Sequence, residues 1–178
     1  MRSWILVLGM RVLALLVATL ALPAAGAMAQ VPRVERIEGP ARAIDADIIM
    51  VGNQRVILWG IDAPERSQYC IANAQRWGCY EAALRTLQHL VGRGSVSCVL
   101  TGEPDPFNRR YGVCESGGED INAAMVRAGM ALAYREQSDD YWPVQQEAIV
   151  AAVGLWQLGV EFQEPWVWRR QNNPGGYR

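Results

Sequence analysis

The sequence predicts a mainly β (α+β) domain, a five-stranded barrel clasped by three packed helices. Two observations carry this prediction. Runs rich in β-branched residues and helical apolar stripes follow one another in the order β-β-β-α-β-β-α-α. Gly, Pro and Asn punctuate them at the spacing of tight turns, with no internal repeat and no low-complexity linker. An OB barrel is the natural candidate for that order.

Residues 34–44, 48–51 and 54–61 read as the first three strands, broken at Gly39-Pro40 and at Gly52-Asn53, the latter a hairpin turn. Residues 81–91 place Ala83, Leu84, Leu87, Leu90 and Val91 on one helical face, and Gly92 stops the helix. Residues 95–100 and 110–115 supply two more strands. A short helix follows, with Asp120 near its start, Ile121, Ala124, Met125 and Ala128 on its inner face, and Gly129 at its end. Residues 139–156 read as the last helix, entered through Ser138-Asp139-Asp140, with Pro143 in the first turn where its missing N–H is harmless.

The first 29 residues read as a secretory signal peptide: two arginines, an apolar stretch over residues 12–22, the helix breaker Pro23 and the Ala27-Met28-Ala29 cleavage pattern. That stretch is short of the roughly 20 residues that span a bilayer. The expectation is a periplasmic or secreted protein, free of the membrane after cleavage, whose single domain is residues 30–178. Without Arg2 and Arg11 it carries 15 basic against 18 acidic residues, and lysine is absent. This excludes a binder that works through bulk positive charge, while leaving room for local arginine pairs.

Four cysteines, Cys70, Cys79, Cys98 and Cys114, allow three pairings in an oxidising compartment. Zinc is disfavoured because there is no CxxC or HxxxH and His89 is the sole histidine. The proposed topology brings together Cys70 with Cys79 and Cys98 with Cys114.

Three segments gather polar residues that a core does not need: Asp45-Ala46-Asp47, Asp62-Ala63-Pro64-Glu65 and Asp105-Pro106-Phe107-Asn108-Arg109-Arg110. Taken singly they read as turns and solvated charges. Together they lie at strand ends. Asp47 opens the second strand and Asp62 closes the third, so the hairpin brings two carboxylates close, as a hard cation such as Ca2+ or Mg2+ requires. Glu65 could then orient a water, and Arg109 could neutralise a phosphate. No GxSxG, Walker loop or HExxH occurs.

Several stretches resemble the thermonuclease, or staphylococcal-nuclease-like, family. They are Ala43-Ile44-Asp45-Ala46-Asp47, the highly specific Trp59-Gly60-Ile61-Asp62-Ala63-Pro64-Glu65, Asp105-Pro106-Phe107-Asn108-Arg109, residues 121–129 and Gly154-Leu155-Trp156. Pro165-Trp166-Val167-Trp168-Arg169-Arg170 resembles the tail of its exported Gram-negative members. The resemblance implies an OB-fold, calcium-dependent phosphodiesterase that cleaves DNA and RNA, with single-stranded nucleic acid as substrate. On it, Asp47, Asp62 and the carbonyl of Ala63 would hold Ca2+, Glu65 would activate water, and Arg109 would stabilise the transition state. Phe107 and Tyr134 would pack on the nucleotide.

Three departures stand out. Ala46 and Ile48 replace a glycine and a hydroxyl residue beside the metal, and Asn108 replaces a glycine. Ile57 stands where the family carries its second catalytic arginine, a group worth roughly 10³–10⁵ in rate in phosphoryl transfer. Arg55 shares the face of Ile57, about 6.6 Å along the strand, and is the nearest substitute there. Reduced activity follows. The alternatives are a non-catalytic barrel that binds nucleic acid or another anionic polymer, and a structural role in the envelope or beside exopolysaccharide machinery. The apolar run 148–153 cannot all face the barrel, so either the Trp-rich tail 164–170 covers Ile149, Val150 and Val153 or they form a contact patch for a second copy or an envelope partner.

Overall fold

The computed structural model describes residues 34–172, so the expected signal peptide lies outside the described residues. Strands β1 (Arg36–Ala43), β2 (Ile48–Val51) and β3 (Gln54–Leu58) form an antiparallel meander. Gly52, at φ +55°, turns the β2–β3 hairpin and sets Val51 opposite Gln54. The predicted strand 54–61 breaks because Gly60 takes φ +76° against the Tyr141 ring, where a Cβ would come within 2.9 Å. The chain leaves the barrel there as the two-residue strand β4 (Ile61–Asp62), and a small hairpin of β5 (Cys70–Ala72) and β6 (Gln75–Trp77) leads into α1 (Cys79–Val91).

Strand β7 (Ser95–Thr101) returns beside β1, and β8 (Arg109–Ser116) pairs antiparallel with β7 and parallel with β3. The β3–β8 pairing closes five strands into the predicted OB barrel, and β9 (Glu119–Asp120) extends β8 as a short flap. Period-two alternation sends Val96, Cys98 and Leu100 of β7 inward. They meet Leu87, Leu90 and Val91 of α1 and Met125 and Val126 of α2 (Ile121–Arg127) in one core. Each such side chain contributes about 1.5–3 kcal/mol by leaving water. The Asp120 carboxylate caps α2 by accepting from Ala123 N at 2.9 Å. Both expected disulfides are present, Cys70–Cys79 at the base of α1 and Cys98–Cys114 between β7 and β8.

The C-terminal third departs from the sequence expectation. After β10 (Leu132–Ala133), which pairs with β4, α3 spans only Trp142–Val150, not 139–156. Ala152 at φ +50° and Gly154 at φ +57° turn the chain so that Gly154 packs against Gly129, and Leu155 N donates to Gly129 O at 2.9 Å. A 3-10 turn (Gly154–Trp156) and β11 (Val160–Glu161) follow. The tail is a fourth helix, α4 (Pro165–Asn172), where three helices were predicted. Proline tolerates the first helical turn, and the Glu164 carbonyl accepts from Val167 and Trp168. Trp166 of α4 packs with Trp77, Trp156 and Phe162 around Leu132, Leu155 and the Cys70–Cys79 bridge. It leaves Ile149 and Val150 exposed (38% and 88%), so the tail does not cover those two, while Val153 is half-buried. No helix of the described residues is long and apolar enough to cross a membrane.

Candidate active site

The barrel closure collects the polar segments. Asp47 precedes β2, and its backbone carbonyl accepts from Leu58 N at 2.9 Å, tying the start of β2 to the end of β3. Asp62 lies in β4 opposite Leu132 and is completely buried. Ala63 is buried, and Glu65 follows in a loop closed on itself by Gln68, whose Oε1 accepts from Glu65 N at 3.0 Å. Arg109 opens β8 and is locked by Asp105, which accepts from its Nε at 2.6 Å and from the backbone N–H groups of Phe107 and Arg109 at 2.9 Å each. Burial alone would raise the Asp105 carboxyl, but these bonds outweigh it and hold it below the ordinary carboxylate value. Asn108 takes φ +56° in this turn, a conformation asparagine tolerates.

A cavity of about 170 Å³ is lined by Asp45, Asp47, Ile48, Ala63, Pro64, Glu65, Arg109 and Arg169. Of the residues singled out in the sequence, it gathers Asp47, Ala63, Glu65 and Arg109, with Asp62 reached through Arg169. Arg55 is exposed, pairs in register with Arg109 and is not among the lining residues. Phe107 is half exposed with the Arg109 guanidinium 5.2 Å from its ring centre. Tyr134 sits elsewhere, its ring 5.3 Å from that of Trp166 and its hydroxyl donating to Glu136 at 2.6 Å. Ile57 is fully buried between Ile48 and Tyr111 in the ladder.

The residue that sequence reasoning missed is Arg169 of α4. Its Nη2 lies 2.8 Å from Asp62 Oδ2, and its Nη1 donates to Glu65 Oε1. Its tail motif was visible in the sequence, but nothing there says that the tail folds back a hundred residues onto β4. The return is anchored by Gln68 Nε2, which donates to Gln163 O at 2.6 Å, and by the Tyr134–Trp166 contact. Burial pushes the Glu65 carboxyl up to about 7; Arg169 opposes the rise, and Asp47 and Asp62 add to it.

Among the described residues no group of three His, Cys, Asp or Glu side chains comes close enough together to hold a metal ion. A guanidinium stands instead on Asp62 and Glu65. The carboxylates of Asp47 and Asp62 and the carbonyl of Ala63 are hard oxygen donors, the chemistry Ca2+ takes, and Arg169 already supplies positive charge at Asp62.

A family model for staphylococcal nuclease homologues matches residues 55–158, and the chain belongs to that family. It is 36% identical over 119 residues to an uncharacterized endonuclease of Haemophilus influenzae, a match covering 66% of this chain and 61% of that relative's length. It is 36% identical over 146 residues to a micrococcal nuclease of Shigella flexneri, covering 72% of this chain and 78% of the relative. It is 29% identical over 131 residues to the succinoglycan biosynthesis protein ExoI of Rhizobium meliloti, covering 71% and 68%.

Proposed function

We propose that the chain is an exported, Ca2+-dependent phosphodiesterase that cleaves DNA and RNA, at a rate reduced by the loss of charge at Ile57. The observation that carries this reading is the shared cavity, which puts Glu65 and Arg109 beside Asp47 at the barrel rim. Asp47, Asp62 and the Ala63 carbonyl would hold Ca2+, which when bound supplies Lewis-acid charge to a phosphate oxygen. Glu65, with its carboxyl near 7, suits a general base that takes the proton of the attacking water at neutral pH. Arg109, pre-oriented by Asp105, donates to the non-bridging oxygens as charge builds on phosphorus. Exposed Phe107 offers a face on which a base stacks.

A second reading, a non-catalytic binder of nucleic acid or another anionic polymer, draws support from Ile57 and from the relative named for succinoglycan biosynthesis. One assay separates the two: nicking of single-stranded DNA and of RNA by the purified mature protein, with Ca2+ and with chelator. The proposal expects cleavage that needs Ca2+ and disappears in Asp62→Asn. Binding without cleavage in either condition overturns it in favour of the second reading.

A further inference from the structure

We infer that Arg169, carried on α4, is the second guanidinium of this phosphodiester site, delivered by the last helix where β3 supplies only Ile57. The inference rests on the phosphodiesterase reading for its substrate and on geometry for its residue. Both Arg109 and Arg169 border the same cavity, which also exposes Asp45, Asp47 and Glu65. Its volume of about 170 Å³ equals roughly five or six waters, enough for a phosphate group. An anion entering among those carboxylates needs strong, directed cationic donors, and the planar fork of arginine matches phosphate oxygens two at a time.

Arg169 is built for that place. Its side chain is 13% exposed, and Asp62 and Glu65 grip the guanidinium from the side of the barrel. Its helix is held by Trp166 against Tyr134 and, two residues before it begins, by Gln163 O accepting from Gln68 Nε2. Such a charge is pre-oriented before substrate arrives, the condition under which a donor acts on the transition state without reorganisation. The next residue, Arg170, is exposed on the same helix and provides a matched control of equal charge.

The experiment compares wild type, Arg169→Ala, Arg169→Gln and Arg170→Ala. Arg169→Gln keeps amide donors for Asp62 while removing the charge, so it separates chemistry from packing, and thermal melts confirm folding. Two readouts are taken: single-stranded DNA cleavage resolved into kcat and KM, and inorganic phosphate affinity from tryptophan fluorescence. The inference expects both Arg169 variants to lose about 10²-fold or more in kcat. It expects phosphate affinity to fall about tenfold, methylguanidinium to restore part of the Arg169→Ala rate, and Arg170→Ala to match wild type. Arg169 variants that cleave as fast as wild type, or faster, overturn it and make the contact a lock or a plug. A wild type that never cleaves but loses phosphate affinity on Arg169 substitution overturns the phosphodiesterase reading and sustains Arg169 as an anion-binding residue. Unchanged phosphate affinity in the folded variants overturns that assignment too.

Discussion

Asn122 offers a sharp test of how the site is held. It is completely buried at the start of α2. Its Nδ2 donates to Trp59 O at 2.9 Å and to Gly112 O at 3.2 Å, and its Oδ1 accepts from Cys114 N at 3.2 Å. One side chain thereby joins α2 to β8 and to the turn that delivers Asp62. Asn122→Ala removes all three bonds. Gly112 O keeps the Trp59 N–H at 2.8 Å, but the Cys114 N–H and the Trp59 carbonyl lose a buried partner. At about 1–3 kcal/mol for each of the two orphaned groups, the loss should be about 2–6 kcal/mol, centred on about 4. For a domain of this size that is a fall in Tm of about 10 °C. Asn122→Asp is isosteric yet should cost more, because it turns the donor toward two carbonyls into a third acceptor. The assay is urea and thermal unfolding with disulfides intact, reading the midpoint at constant m. An aspartate variant within about 0.5 kcal/mol of wild type, or one more stable than the alanine variant, would refute the reasoning.

Two further outcomes are expected. Gly154→Ala places a Cβ 2.4 Å from Gly129 O at φ +57°; left-handed strain plus backbone displacement should cost about 2–5 kcal/mol, measured by calorimetry, and a change below about 1 kcal/mol would show that the Gly129–Gly154 contact can open freely. Glu65 titrates near 7 in the fold against an ordinary 4.5, because burial outweighs the attraction of Arg169. The folded state then keeps a proton that the unfolded chain has released. Stability of the cation-free protein is therefore full below about 4.5 and falls as pH rises toward 7. Glu65→Gln should flatten that slope in melts run across the interval, and an unaltered slope would assign it to another group.

The sequence by itself determined the barrel and most of the rim. Val96, Cys98 and Leu100 alternate as one face of a strand must, Gly52 marks the hairpin, and Asp120 caps α2, because these signals act over one to four residues. The same locality placed Asp47, Asp62 and Arg109 at strand ends and Glu65 in the loop just beyond one, where one closed barrel has to bring them near each other. The end of α3 and the fate of the tail were decided elsewhere. Residues 151–156 read as helix by their apolar run, yet Gly154 bends away because Gly129, twenty-five positions earlier, leaves the only kind of surface that close backbone approach permits. Arg169 reads in the sequence only as part of the Trp-rich tail motif 165–170. Tertiary contacts carry it back to Asp62, the packed aromatics Trp156, Phe162 and Trp166 together with the Gln68–Gln163 bond, since a buried carboxylate recruits its partner through space and leaves no period in the chain to announce it.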